Sequence, residues 1–149
     1  MPRFVVQQHD ATTLHFDLRL ELGGVLRSWA VPRGPSLDPG DRRLAMQVPD
    51  HDLEHADFEG VHADAPRGTG AVIIWDEGDF DLVRDDRDHF VVELRGRKLR
   101  GGFALTRTDE RRWILVKVVD QAARRGFDIV AERPESVRTG RTWREVAAG

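Results

Sequence analysis

The sequence contains no cysteine among its 149 residues, which excludes disulfide bonds and thiolate metal ligands. It also lacks any apolar run of about eighteen residues, so no membrane-spanning helix is expected. The first ten residues, MPRFVVQQHD, lack the apolar core of a secretory signal peptide. Together these absences favour a protein of the reducing cytoplasm that has no membrane partner.

An excess of basic charge is absent as well. The chain carries 23 lysines and arginines against 26 aspartates and glutamates, a formal net charge of −3. This balance excludes a protein that coats nucleic acid over its whole surface, so any phosphate binding must come from a local cluster. Residues 95–112 hold seven basic and two acidic side chains. They are interpreted equally well as a solvated face or as a nucleic-acid patch.

Short alternating runs are abundant. In LHFDLRLEL (14–22) apolar side chains alternate with the polar row His-Asp-Arg-Glu, which is the period of a half-buried strand. Nine runs of this kind, with turn signals such as Gly78 between them, predict an antiparallel barrel or sandwich. The runs cover residues 3–8, 14–22, 25–32, 43–48, 70–76, 79–84, 89–96, 101–108 and 111–119.

The length suits a single domain, followed by a polar tail. Residues 1–120 are expected to form the barrel, in which the proline-rich stretch 31–41 is a rigid loop. Residues 121–149 are expected to pack lightly on the barrel or to be partly mobile. Thr142 and Glu145 have the spacing of a capping box, which predicts a short C-terminal helix.

The polar row of the second run brings together residue types that bind metals. On a strand His15 and Asp17 share a face, with Cα atoms about 7 Å apart, and His9 joins them if residues 10–13 turn the chain. Two imidazoles and one carboxylate bind divalent transition ions and leave positions for water and substrate. Arg19 follows on the same face, where a guanidinium is suited to grip a phosphate. An ordinary solvent-facing strand is the alternative that spacing alone leaves open.

A second pair of histidines lies in DHDLEHADFEG (50–60). His51 and His55 are four positions apart, so on a helix they would share a face and could bind a metal. They are equally consistent with the polar surface of an acidic loop.

Long motifs from Phe4 onward resemble one known family. FVVQQHDATTLHFDLRLELGGVLRSWAVPRGPSLDPGDRRLAMQVPDHDLEHADFEG is similar to the 3′-phosphoesterase domain of bacterial DNA ligase D, the repair ligase of nonhomologous end joining. The resemblance continues through RGTGAVIIWDEGDF and, more loosely, to RRWILVKVVD, and so covers residues 4–120. Because 149 residues hold no ligase or polymerase domain, the chain resembles this module in stand-alone form.

The resemblance implies an eight-stranded antiparallel barrel with a manganese-dependent site in its crevice, where other divalent transition ions could also bind. The implied activity heals the 3′ ends of DNA or DNA/RNA primers. One step removes a terminal ribonucleoside, and another removes the remaining 3′-phosphate to leave a 3′-hydroxyl. The expected partners are such primer ends and a separate repair ligase or polymerase, and a monomer is favoured.

Carried over by position, the resemblance assigns metal ligands and residues that act on the phosphate. The implied metal ligands are His9, His15 and Asp17. The residues implied at or near the phosphate are Arg19, His51, Arg33 and Arg43, with His55 at a further active-site position.

Two departures from the family pattern bear on activity. The position of His55 usually holds a tyrosine, and this chain contains none. An imidazole can still donate a hydrogen bond to phosphate, with a pH dependence expected near its usual pKa of about 6.5. The motif also begins at Phe4, whereas longer relatives have an N-terminal extension that helps engage the primer. Phosphate removal is therefore expected more firmly than ribonucleoside removal.

Two other classes of function are compatible with these residues. A non-catalytic module that binds DNA ends would keep the fold after losing the tyrosine position. A cupin-like metal barrel acting on a small molecule is permitted by the His-x-Asp pattern alone, although the long motifs disfavour it. Product formed from a 3′-phosphate primer separates the enzyme from the binding module.

Overall fold

The computed structural model describes residues 1–66 and 70–149. No helix in these residues is long and apolar enough to cross a membrane. The strands are β1 (Arg3–Asp10), β2 (Leu14–Leu22), β3 (Val25–Val31), β4 (Arg43–His51), β5 (Gly60–Val61), β6 (Ala71–Asp86), β7 (His89–Arg95), β8 (Arg100–Arg107) and β9 (Arg112–Lys117). A 3₁₀ helix spans Leu53–Asp57, and two short α-helices are α1 (Ile129–Glu132) and α2 (Trp143–Ala148).

Eight of the strands close into a barrel. Neighbours follow the order β1-β2-β3-β4-β9-β8-β7-β6, and β6 returns to pair with β1. Every pairing is antiparallel, and β5 adds two residues alongside β6. The expected eight-stranded barrel is confirmed, as is the C-terminal helix, which begins at the capping box of Thr142 and Glu145.

The alternation of β2 sorts its side chains between the two sides of the barrel wall. Phe16, Leu18 and Leu20 belong to the core inside the barrel. Full burial of such a side chain contributes about 1.5–3 kcal/mol. Asp17 and Arg19 lie on the other side of the wall and are also buried, with 5% and 3% of their surface exposed. Polar side chains on a buried strand face need hydrogen-bonding or charged partners.

The segment expected as two strands, 70–76 and 79–84, is one continuous strand, β6. Gly78 lies inside it, where an added Cβ would overlap the carbonyl oxygen of Arg95. Glycine is therefore required here for the close approach of two backbones, and its interpretation as a turn signal was wrong.

The connections between strands gather at two ends of the barrel because consecutive strands run antiparallel. We call them the upper and lower ends. The upper-end connections are residues 11–13, 32–42 and 96–99, and the lower-end connections are residues 23–24, 87–88 and 108–111.

Hydrogen bonds tie the segment that follows β9 to the barrel. Lys98 Nζ donates to the carbonyl oxygen of Arg133 at 2.9 Å and to that of Glu135. Trp75 Nε1 donates to the same Arg133 oxygen at 2.7 Å. Burial lowers the pKa of Lys98 to about 8, so its side chain is still mostly charged at neutral pH. The segment is thus held more firmly than the light packing expected for residues 121–149.

Replacing Gly78 by alanine is expected to lower the free energy of unfolding by about 2–3 kcal/mol, because the methyl group overlaps backbone that cannot rotate away. Gly40→Ala is the matched control, since a Cβ there lies 3.3 Å from its nearest neighbour, Asp38 Oδ1. A change of about 1 kcal/mol or less is expected for it. Urea denaturation measures both, and equal stability of the two variants would contradict the close-approach role of Gly78.

Candidate metal and phosphate site

The register of β1 and β2 places the predicted metal ligands on one face. His9 pairs directly with His15, and Gln7 pairs with Asp17. The chain turns at residues 11–13, as the predicted site required. Directly opposed residues of an antiparallel pair point to the same side of the sheet, so the two imidazoles and the carboxylate lie together.

These three side chains form a group that could hold a metal ion. His15 Nε2 lies 3.0 Å from Asp17 Oδ1, and His9 Nδ1 lies 3.6 Å from Asp17 Oδ2. One donor atom from each residue falls within 4.8 Å of the others. Two nitrogens and one carboxylate oxygen are a donor set suited to divalent transition ions, so the residues fit such an ion.

Asp17 is held in its ionised, ligating form, whereas a metal ion must displace a proton from His15 in order to bind. Burial opposes ionisation of Asp17, but hydrogen bonds from His15 and His9 and the charge of Arg19 hold its pKa well below the usual range. The hydrogen bond to Asp17 raises the pKa of His15 against the effect of burial. His15 Nδ1 lies 3.1 Å from the carbonyl oxygen of Thr13. Nδ1–H can donate to that oxygen, so once Nε2 has lost the proton that it shares with Asp17, Nε2 can bind a metal.

Arg19 is held in place through all three of its nitrogens. Nε donates to Gln7 Oε1 at 2.7 Å, Nη1 to Ser28 Oγ at 2.8 Å, and Nη2 to Asp17 Oδ2 at 3.3 Å. Burial lowers its pKa while Asp17 opposes that effect. A guanidinium has five N–H donors, so these contacts leave two of them for another acceptor.

Gln7 connects the site to the segment that covers it. Its Nε2 donates to the carbonyl oxygens of His55 at 2.8 Å and Phe58 at 3.0 Å, while its Oε1 accepts from Arg19. Sequence reasoning missed Gln7. The period of two that selected His9 also places Gln7 on the same face, and that signal was sufficient to find it.

The covering segment, residues 51–62, is called the cap. A small apolar cluster, comprising Val5, Leu26, Ala56 and Ile74, fixes it to the outer wall. The structure brings His51 and His55 together, with ring centroids 4.6 Å apart. The ring centroid of His62, a residue that the sequence analysis did not select, lies 5.4 Å from that of His9. Five of the six histidines thus converge on this face.

Burial governs the charge of the cap histidines. It lowers the pKa of His55 to about 4, and the positive charge of Arg19 adds to the effect. Burial and Arg19 likewise lower the pKa of His51, and burial lowers that of His62. The pH dependence near 6.5 expected from His55 is therefore displaced downward. A neutral imidazole still offers one N–H donor.

The two other predicted arginines lie at either end of the upper-end connection between β3 and β4. Arg43 pairs with Leu115 and lies on the inward side of β4, where it forms an ion pair with Asp41 at 3.6 Å. Arg33 is exposed in the turn that ends β3. Within residues 1–66 and 70–149, no hydrogen bond or ion pair joins Arg33 or Arg43 to Asp17. Their contact with phosphate stays a prediction.

The C-terminal segment braces the cap from outside. Glu59 Oε1 accepts from Ser136 Oγ at 2.6 Å, and Glu59 Oε2 accepts from Thr139 Oγ1 at 2.6 Å. Arg138 donates to both Asp57 and Glu77 at 2.7 Å. Side-chain hydrogen bonds thus hold the cap from outside, while Gln7 joins the cap backbone to Arg19 from within.

Comparison with known proteins agrees with this arrangement. Residues 7–107 match the family model described as the DNA ligase D 3′-phosphoesterase domain. The chain belongs to this family, and the resemblance drawn from its motifs is confirmed.

Its relatives include large multifunctional proteins. The chain is 48% identical, over 94% of its length, to the multifunctional non-homologous end joining protein LigD of Pseudomonas aeruginosa. It is 39% identical over 84% of its length to the multifunctional non-homologous end joining DNA repair protein LigD of Mycobacterium tuberculosis. The corresponding protein of Mycolicibacterium smegmatis is 34% identical over 85% of the chain. The chain spans only 17–18% of the length of these relatives.

Gln7→Leu is expected to lower the free energy of unfolding by about 2–4 kcal/mol, because it leaves the Arg19 Nε–H and two cap carbonyls without their partner. Gln8→Leu is the matched control, since Gln8 is the next residue of β1 and lies on the opposite side of the wall. A change of about 1 kcal/mol or less is expected there. Chemical denaturation tests both, and an equal loss in the two variants would contradict the bridging role of Gln7.

Proposed function

We propose that this chain is a manganese-dependent phosphoesterase that heals DNA 3′ ends. It removes a 3′-phosphate and, as a second activity, a terminal 3′-ribonucleoside. The observation that carries the proposal is the grouping of two imidazoles, one carboxylate and a fixed guanidinium on one buried strand face. The family and the names of its relatives, which refer to non-homologous end joining, support a role in end repair.

The chemical problem is the charge of the substrate. A 3′-phosphate repels an attacking hydroxide, so the site must first offset negative charge. His9, His15 and Asp17 would hold a divalent ion, which supplies a Lewis acid that polarises a phosphate oxygen and assists formation of the nucleophile. The donor set accepts several such ions, and manganese is the one that the family resemblance implies.

The protein's own groups complete the stabilisation. Arg19 presents its two remaining N–H donors to the phosphate, and such charge-assisted bonds strengthen as charge develops in the transition state. Gln7 and Ser28 hold the guanidinium so that it need not reorganise during the reaction. His51 and His55, kept neutral by burial, supply N–H donors for the phosphate or for the departing 3′-oxygen.

The product of the proposed reaction is a 3′-hydroxyl end. Such an end is what a polymerase extends or a ligase seals, so we propose a repair polymerase or ligase as the partner that uses it. The expected substrate is a DNA or DNA/RNA primer end.

A labelled primer with a 3′-phosphate is expected to lose its phosphate in the presence of Mn²⁺ and to remain intact with excess EDTA. His15→Ala and Asp17→Ala should abolish both turnover and manganese binding, because each removes a ligand. Arg19→Ala should retain manganese while losing turnover by a factor of about 10² or more. Gel analysis of the primer and calorimetric titration of the metal give the two readouts.

The control is His89→Ala, since His89 lies at the lower end and its Nδ1 contacts Thr106 Oγ1 instead of the site. It should change neither readout. Activity that persists in EDTA would contradict metal dependence. A salt-sensitive gel shift without product would instead favour the DNA-end-binding module.

His55→Tyr is expected to keep phosphate release within about threefold, because a phenol donates a hydrogen bond as a neutral imidazole does. His55→Leu keeps the bulk without the donor and should lower the rate about tenfold or more. The measurement is the single-turnover rate on the same primer. Full activity of His55→Leu would show that His55 makes no contact with the reacting phosphate.

A further inference from the structure

The basic stretch 95–112 is divided by the fold into two groups at opposite ends of the barrel. Arg97 and Lys98 belong to the β7–β8 turn at the upper end, and Arg100 begins β8 directly after it. Arg111 and Arg112 lie at the lower end. The stretch, which the sequence left open as a solvated face or a nucleic-acid patch, is therefore not one continuous patch. The upper group gains further basic neighbours from another part of the chain.

Those neighbours come from the segment that follows β9. A cleft of about 350 Å³ at the upper end is lined by five basic side chains, which we call the basic cleft: Arg97, Lys98, Arg100, Arg124 and Arg133. Within the described parts of the chain, no carboxylate is among its lining residues. Glu135 lies behind it, 3.4 Å from Lys98 Nζ and 3.5 Å from Arg133 Nε. Positive charge remains in excess there, although the whole chain has a net charge of −3.

Two of these cations are suited to take an external anion. The guanidinium of Arg124 stacks on the ring of Phe127, 3.8 Å from its centroid, which orders the side chain without neutralising it. Arg100 is exposed at the start of β8. Lys98, in contrast, donates to backbone carbonyls and contributes charge from within the wall.

The basic cleft lies at the same end of the barrel as the candidate metal group. His9 and His15 flank the β1–β2 turn, which belongs to the upper end. Between the two sites lies Trp75, whose ring centroid is 4.3 Å from Lys98 Nζ and 5.6 Å from that of Phe16, the residue between His15 and Asp17. The buried Trp75 thus connects the wall below the metal group to the wall of the basic cleft, and both sites open at the upper end of the barrel.

We propose that the basic cleft is a second phosphate-binding site, which holds the backbone of the nucleic-acid strand whose 3′ end enters the metal group. The proposal rests on the proposed function for the identity of the strand. It explains how a chain of negative net charge can retain a polyanionic substrate, because binding depends on a local cluster of arginines.

The test is binding of a fluorescent DNA strand of about twelve nucleotides ending in a 3′-hydroxyl, without metal, followed by anisotropy from about 50 to 200 mM salt. Arg100→Ala/Arg124→Ala should weaken binding roughly tenfold and reduce the slope of log K against log salt by about 1.4. The matched control is Arg87→Ala/Arg111→Ala, which removes two exposed arginines from lower-end turns. It should change affinity by about twofold or less. Equal losses in the two double variants, or no loss in either, would overturn the proposal.

A second arm distinguishes a strand from free phosphate. If Arg100→Ala/Arg124→Ala loses binding of inorganic phosphate while its affinity for the strand is unchanged, the cleft is a site for the free ion and the proposal is wrong. In assays of turnover, the variant should raise KM for the 3′-phosphorylated strand but not for a 3′-phosphorylated dinucleotide, which has a single backbone phosphate beyond its reacting end. An equal rise in KM for both would also overturn it. The anisotropy measurement needs no catalysis, so it tests strand binding by the cleft separately even if the proposed phosphoesterase activity is not found.

Discussion

The site depends on one buried ion pair, Asp17 with Arg19, on the outer side of the barrel wall. Removing charged groups from water costs several kcal/mol per ion, and loss of one partner from such a pair typically costs about 3–5 kcal/mol. Here Gln7 and Ser28 accept hydrogen bonds from Arg19, and the two histidines contact the Asp17 carboxylate, while two N–H donors of Arg19 remain available. The polar side chains of β2 are therefore covered by hydrogen-bonding partners and by the cap, which explains why their composition differs from that of an ordinary solvent-exposed strand face.

Much of the fold follows from alternation, because a period of two specifies which residues of a strand enter the core. The runs at 14–22 and 89–96 appear as strands nearly as predicted. The predicted break between two strands at Gly78 was wrong because glycine occurs both in turns and at close contacts between backbones. Only the position of the Arg95 backbone in the folded structure distinguishes the two cases. The hydrogen bonds that fix the C-terminal segment to the barrel also could not be predicted, because Lys98 donates to backbone carbonyl oxygens, which every residue has.

The grouping of the candidate ligands was predictable for a similar reason. Spacing relates His15 to Asp17 directly, and one short turn adds His9. The contribution of the cap could not be predicted, because it depends on how a segment some thirty residues further along the chain folds back over the barrel wall. Thus His62 carried no signal, and the bonds from Gln7 to cap carbonyls required the tertiary structure. Strand register also places Arg43 on the inward side of the wall, which linear distance could not indicate.

The central claim is that the outer strand face binds a divalent ion, and anomalous diffraction from a manganese-soaked crystal tests it most directly. The account predicts one strong manganese peak in contact with His9, His15 and Asp17, with the Arg19 guanidinium still bonded to Asp17. A crystal fully exposed to manganese that shows no peak among these side chains, or a peak elsewhere only, would contradict it.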